Sequence, residues 1–202
     1  MLIAAAAPPA VSAHRLDEYL QAARIALDPG RVVIELDLTA GAAVADAVLL
    51  GLDRDGNGAI SAGEGAAYAA AVRDAITLEI DRQPLTVDLI STEMPDVAAL
   101  RTGEGAIRLQ LAATLPALTA GAHHLRYRNT HRPDISVYLA NVLVPASDRV
   151  AVLAQRRDVD QRELTVDYVL DGDRTSSARA WYAVAIACLI LALATLVWRS
   201  RA

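Results

Sequence analysis

Lysine and phenylalanine are missing from this chain, and cysteine occurs once, at position 188. A lone cysteine excludes any intramolecular disulfide framework. Because Cys188 sits inside an apolar run, thiol catalysis is excluded with it. All basic residues are arginine; together with the missing phenylalanine this suits a GC-rich coding sequence, and no function is read into it. Familiar catalytic signatures are absent too: there is no G-x-S-x-G, no H-E-x-x-H and no glycine-rich phosphate loop. Asp96, Glu93 and Glu104 lie near turn signals and read as solvated carboxylates. The sequence therefore points away from an enzyme, leaving only a hydrolase without a recognisable motif as a minor reading.

Positive charge is also scarce where it would matter. The 24 acidic residues all fall within His14–Ala178, whereas Arg179, Arg199 and Arg201 of the 19 basic residues lie outside it, so 16 face 24 and the net charge there is −8. Nucleic-acid binding needs clustered Lys and Arg, so no nucleic-acid partner is expected. An acidic domain suits cation binding instead.

The 54% of apolar residues is high for a soluble domain, but two short segments inflate it. Residues 1–13 (MLIAAAAPPAVSA) read as a short signal peptide. An apolar stretch leads to Val11-Ser12-Ala13, a pattern signal peptidase accepts, although the usual basic start is missing. Ala180–Trp198 carries no charge over nineteen residues. At about 1.5 Å per residue that is roughly 28 Å of helix, close to the hydrocarbon thickness of a bilayer. Trp181, Tyr182 and Trp198 mark its two ends, and Arg199 and Arg201 follow as cytoplasmic anchors. The expected layout is signal peptide 1–13, exported domain 14–170, polar stalk 171–179, transmembrane helix 180–198 and cytoplasmic tail 199–202. The protein is then a single-pass component of the cytoplasmic membrane with its domain facing the periplasm or exterior.

Within the exported part, His14–Leu27 fits either helix or strand. Arg31–Leu38 alternates with period two, as a half-buried strand does. Two Ala-rich stretches, Val44–Leu52 and Ala62–Ile76, read as helices. Strands then dominate: Thr77–Ile80 and Leu85–Ile90 as a hairpin, followed by Ala106–Leu115, His123–Arg128, Ile135–Val144, Val150–Gln155 and Leu164–Leu170. The pattern predicts an α+β fold, a β-sandwich-like domain with a helix–loop–helix inserted at about residues 43–76, plus the C-terminal transmembrane helix.

Between the two helices runs Asp53-Arg54-Asp55-Gly56-Asn57-Gly58-Ala59-Ile60-Ser61-Ala62-Gly63-Glu64. This is the spacing of an EF-hand loop. Asp53, Asp55 and Asn57 stand at ligand positions one, three and five, each with a short side-chain oxygen. Gly58 stands where the chain must turn with positive φ. Ala59 would offer its backbone carbonyl, Ile60 is the apolar anchor, Ser61 can ligate directly or through water, and Glu64 can bind with both carboxylate oxygens. An all-oxygen set without Cys or His favours a hard cation, and the flexible six- or seven-fold geometry favours Ca²⁺ over Mg²⁺. With three carboxylates and no paired loop, the expected affinity is on the order of 10⁻⁴ to 10⁻³ M, the range of extracellular modules. Such a site acts as a structural clamp.

Four histidines remain: His14, His123, His124 and His131. Cleavage after Ala13 would make His14 the mature N-terminus, whose amine and imidazole could chelate copper, nickel or cobalt with a second histidine. His123 and His124 are adjacent on a predicted strand, so they point to opposite faces. His131 lies in a turn, Asn129–Pro133.

Three stretches together, AHRLDEYLQA (13–22), LTAGAAVADAVLLGLDRDGNGAISAGEGAAYA (38–69) and SVYLANVLVP (136–145), resemble the exported N-terminal domain of bacterial HupE/UreJ-type nickel/cobalt permease-like proteins and related membrane-anchored proteins. The resemblance implies an envelope location, an association with metal handling, and a partner such as an envelope protein or metal permease. In the permease-like proteins a multi-span region follows this domain; here one predicted span follows, so transport itself is not carried over.

Overall fold

The computed structural model describes residues 17–172. The predicted signal peptide, His14, the predicted stalk from residue 173 onward and the apolar stretch 180–198 lie outside the described residues. Among the described residues no helix is long and apolar enough to cross a membrane.

The described chain is mostly β, with two five-stranded sheets. In one, the order is β5 (Asp88–Glu93), β6 (Ala106–Thr114), β2 (Arg31–Ala40), β1 (Tyr19–Asp28) and β8 (Ser136–Val142). In the other it is β4 (Gln83–Pro84), β3 (Ile76–Ile80), β7 (Gly121–Asn129), β10 (Glu163–Leu170) and β9 (Val150–Arg157). Neighbours pair antiparallel except β1 and β8, which run parallel from Tyr19↔Ser136. The alternation in the sequence sets the layers. Val32, Ile34, Leu36 and Leu38 of β2 point inward, as do Leu164, Val166, Tyr168 and Leu170 of β10, and both sets join one hydrophobic cluster. Outward positions carry cross-strand ion pairs such as Arg24 with Glu35 and Asp37, and Arg126 with Glu79 and Glu163.

The ambiguous first segment is strand from Tyr19 onward. Its alanines at 22, 23 and 26 fit either periodicity, and its pairing with both β2 and β8 decides the outcome. The helix–loop–helix sits between β2 and β3, as α1 (Ala45–Leu52) and α2 (Ala62–Asp74). The second helix is shorter than predicted, because Ile76 already opens β3 and pairs with Asn129. The predicted hairpin is corrected. Gln83–Leu85 return beside β3, with the Leu85 N–H on the Leu78 carbonyl at 2.8 Å; the chain then crosses to the other sheet, where β5 pairs with β6 from Asp88. A third helix, α3 (Val97–Thr102), is unpredicted; Asp96 caps its start and Gly103, at φ +78, ends it. Asp96, Glu93 and Glu104 are exposed, as expected of solvated carboxylates; Asp96 also caps α3, and Glu93 pairs with Arg108.

Strand register gives the domain two distinct ends. The starts of β1 and β3 and the ends of β2 and β7 lie together, and α1, α2, α3 and the Asp53–Glu64 loop are attached there. At the opposite end lie the β1–β2 turn, the β6–β7 and β8–β9 loops, and Asp171–Gly172. Ten-residue strands at about 3.3 Å rise separate the two ends by roughly 30 Å.

Candidate metal centre

The Asp53–Glu64 loop brings its carboxylates together. Ligand atoms of Asp53, Asp55 and Glu64 all lie within 4.8 Å of one another. Local backbone chemistry arranges this. Two glycines, Gly56 at φ +68 and Gly58 at φ +81, turn the chain inward. Only the second was singled out from the sequence, and the first follows from the same need for left-handed backbone. The turned backbone aims its N–H groups at the carboxylates. Asn57 and Gly58 donate to the two oxygens of Asp53 at 3.1 and 3.0 Å. Arg54 and Asp55 donate to Oε1 of Glu64 at 2.7 and 3.3 Å.

Glu64 has a second task. It completes the capping box of α2, with its Oε2 accepting from the Ser61 backbone at 3.0 Å and from the Ser61 hydroxyl at 2.7 Å. That hydroxyl, then the Ser61 backbone and the Arg54 and Asp55 N–H groups, hold its carboxyl down at about 2. The side chain is therefore ionised at any physiological pH, and the contribution of its hydrogen bonds is lost only as pH falls from about 4.5 through about 2. Asn57 folds onto the loop itself: its Oδ1 accepts from Ala59 N–H and its amide donates to Asp55. Ala59 has only its carbonyl to offer. The donors brought together are thus all oxygen, three of them anionic, which is chemistry for a hard divalent cation.

Ile60, next to the loop turn, packs against the core, and α2 begins close to Met94; a Cβ on Gly65 would come within 3.1 Å of Met94 Cγ. Met94 and the core thus stand beside this loop. A testable consequence follows at Gly58. A Cβ there meets no atom within 4 Å, so Gly58→Ala is opposed by backbone conformation alone. The expected cost is about 1 kcal/mol, together with a loosened carboxylate cluster. Urea denaturation with and without divalent cation measures both.

One turn beyond Glu64, Tyr68 enters a buried polar network that sequence reading missed. The Tyr68 hydroxyl lies 2.8 Å from that of Tyr19 and 3.1 Å from Nε2 of His131. Gln21 donates to the His131 carbonyl at 2.7 Å and to Ser136 Oγ, accepts from Asn129, and Tyr138 donates to the same carbonyl at 2.9 Å. Burial holds the His131 imidazole at about 4, helped by the charge of Arg132. The Tyr68 hydroxyl thus sits between the Tyr19 hydroxyl and Nε2 of His131, with one hydrogen bond to each. Tyr68→Phe strands two buried polar groups and should cost about 2 kcal/mol. The double variant with Tyr19→Phe should cost less than the sum of the two single ones, which a double-mutant cycle reads directly.

The other histidines lie elsewhere. His123 is buried, with Nδ1 2.7 Å from Asp81 and Nε2 2.8 Å from the Thr119 carbonyl; His124 is exposed on the opposite face and pairs with Asp167. Both sit in the half of β7 remote from Tyr19, where the described chain begins, and His131 turns its Nε2 inward. Comparison with family models, curated proteins and solved structures finds no match for this chain.

Proposed function

We propose that this chain is a membrane-anchored extracytoplasmic module, non-enzymatic, that binds Ca²⁺ through Asp53, Asp55, Asn57, the Ala59 carbonyl, Ser61 and Glu64, and serves as an interaction or accessory domain at the envelope. One observation carries the reading: the twelve residues with EF-hand spacing lie between two helices, with three carboxylates within 4.8 Å and two left-handed glycines turning the loop. The cation would offset repulsion among three carboxylates and fix the angle between α1 and α2. A sandwich-like body with this insertion, tethered by residues 180–198, completes the proposal. Capture of copper, nickel or cobalt by a mature His14, as an accessory to a metal permease, is the alternative. It needs a second ligand, and the described histidines other than His131 lie toward the far end of the strands.

Arg54 provides a direct test, because it is an exposed tryptic site inside the loop. Cleavage after Arg54 should be rapid in chelator and strongly slowed by millimolar calcium, but not by magnesium. Equal rates in all three conditions would contradict the assignment. Topology is tested separately by protease added to intact spheroplasts, which should remove the domain and spare only the tail.

A further inference from the structure

The end of the domain opposite the metal loop combines largely uncharged loops with exposed apolar side chains. Its β6–β7 connection, residues 115–120 (LPALTA), contains no charge, and its β8–β9 connection, residues 143–149 (LVPASDR), is uncharged over its first five residues and ends in Asp148 and Arg149. Leu143 is 41% and Val144 94% exposed. Near the opposite end Leu50 and Val159 are exposed as well, but each lies among charges: Leu50 lines a surface with Asp46, Asp53 and Arg101, and Val159 is flanked by Asp158 and Asp160. Val142–Ala146 and Val150–Val152, with Ser147, Asp148 and Gln155, line an open groove at this end.

The chain leaves the described domain between these two loops. Asp171 N–H donates to the Arg149 carbonyl at 2.8 Å, and a Cβ on Gly172 would lie 3.6 Å from Ala120 Cβ. Asp171, the first residue of the predicted stalk, is therefore tied to the domain. Seven residues, 173–179, separate Gly172 from the uncharged stretch beginning at Ala180. Even fully extended they reach roughly 25 Å. We infer that the β6–β7 and β8–β9 loops rest in the lipid interface of the bilayer that residues 180–198 cross, with Val144 and Leu143 inserted and the metal loop held about 30 Å away, facing outward. The inference depends on the membrane-anchor reading above. Charges around this end are mixed, with Arg31, Arg82 and Arg149 beside Asp28, Asp81, Asp148 and Asp171. Contact is thus apolar, and anionic lipid is not required.

The full chain carrying Cys188→Ala, reconstituted in phosphatidylcholine vesicles, tests this. A fluorophore attached through Val144→Cys should be quenched by nitroxide-labelled lipid several-fold more than one attached through Ala66→Cys, an exposed site on α2. Adding anionic lipid should change the ratio little. Both substitutions are at exposed positions, so folding is preserved. Chain that fails to float with the vesicles overturns the anchor and the docking together. Chain that floats but shows equal quenching at the two positions overturns the docking alone and points to a protein partner or a second copy on that end.

Discussion

Lowering the pH from 7 to 4.5 destabilises this domain by about 2–3 kcal/mol through His131 alone. The folded imidazole is held at about 4 by burial, then by the Arg132 guanidinium, against about 6.5 for an unperturbed imidazole. Above pH 6.5 neither state takes the proton and nothing is lost. Between 6.5 and 4 the unfolded chain binds a proton that the folded chain refuses, so stability falls as pH falls. Once protonated, the imidazole carries a proton on both nitrogens, so Nε2 can only donate to Tyr68. His123 acts in the other direction. Burial lowers its pKa, but hydrogen bonds to Asp81 and to Thr119 outweigh this and raise it, so its contribution is present below 6.5 and fades as pH rises above it. Urea midpoints between pH 4.5 and 7 should therefore slope steeply in the native chain and much less in His131→Gln. The glutamine variant should be weaker by about 1 kcal/mol at pH 7, where a good hydrogen bond is replaced by a poorer one. Parallel slopes in the two proteins would assign the acid sensitivity elsewhere.

Calcium at a hundredfold excess over Kd stabilises the folded state by about 2.7 kcal/mol, since only the folded loop gathers the ligands. For a domain of this size that raises Tm by roughly 5–10 °C. Glu64→Gln should remove most of the shift. The glutamine amide oxygen can still accept from Ser61, so the capping box survives in part and the calcium-free protein melts close to the native one. Magnesium should shift Tm much less, because it gives up water reluctantly. Identical melts with chelator and with calcium would leave the loop as a surface turn.

Much of this architecture was legible because its causes are local. The alternation in Arg31–Leu38 and Leu164–Leu170 encodes an inward face directly, and the Asp/Gly spacing of the loop encodes its turn. What escaped depended on partners distant in sequence. Leu85–Ile90 has strand composition, but only Leu85 stays with β3, and from Asp88 the chain pairs with β6, a partner some twenty residues further on. Helix α3 is too short to show periodicity, although Asp96 and Gly103 stand as caps at both ends. The Tyr19–Tyr68–His131 network joins residues 49 and 63 positions apart. Its trace in the sequence was the polar residues Tyr19, Gln21 and Asn129 at inward positions of alternating strands, where an unpaired polar group is costly.

The most direct measurement is calorimetric titration of the purified chain with calcium. The Asp53–Glu64 assignment predicts one site per chain with a Kd on the order of 10⁻⁴ to 10⁻³ M, and no binding heat in Glu64→Gln. A titration without heat, or the same heat in native and Glu64→Gln protein, would contradict it.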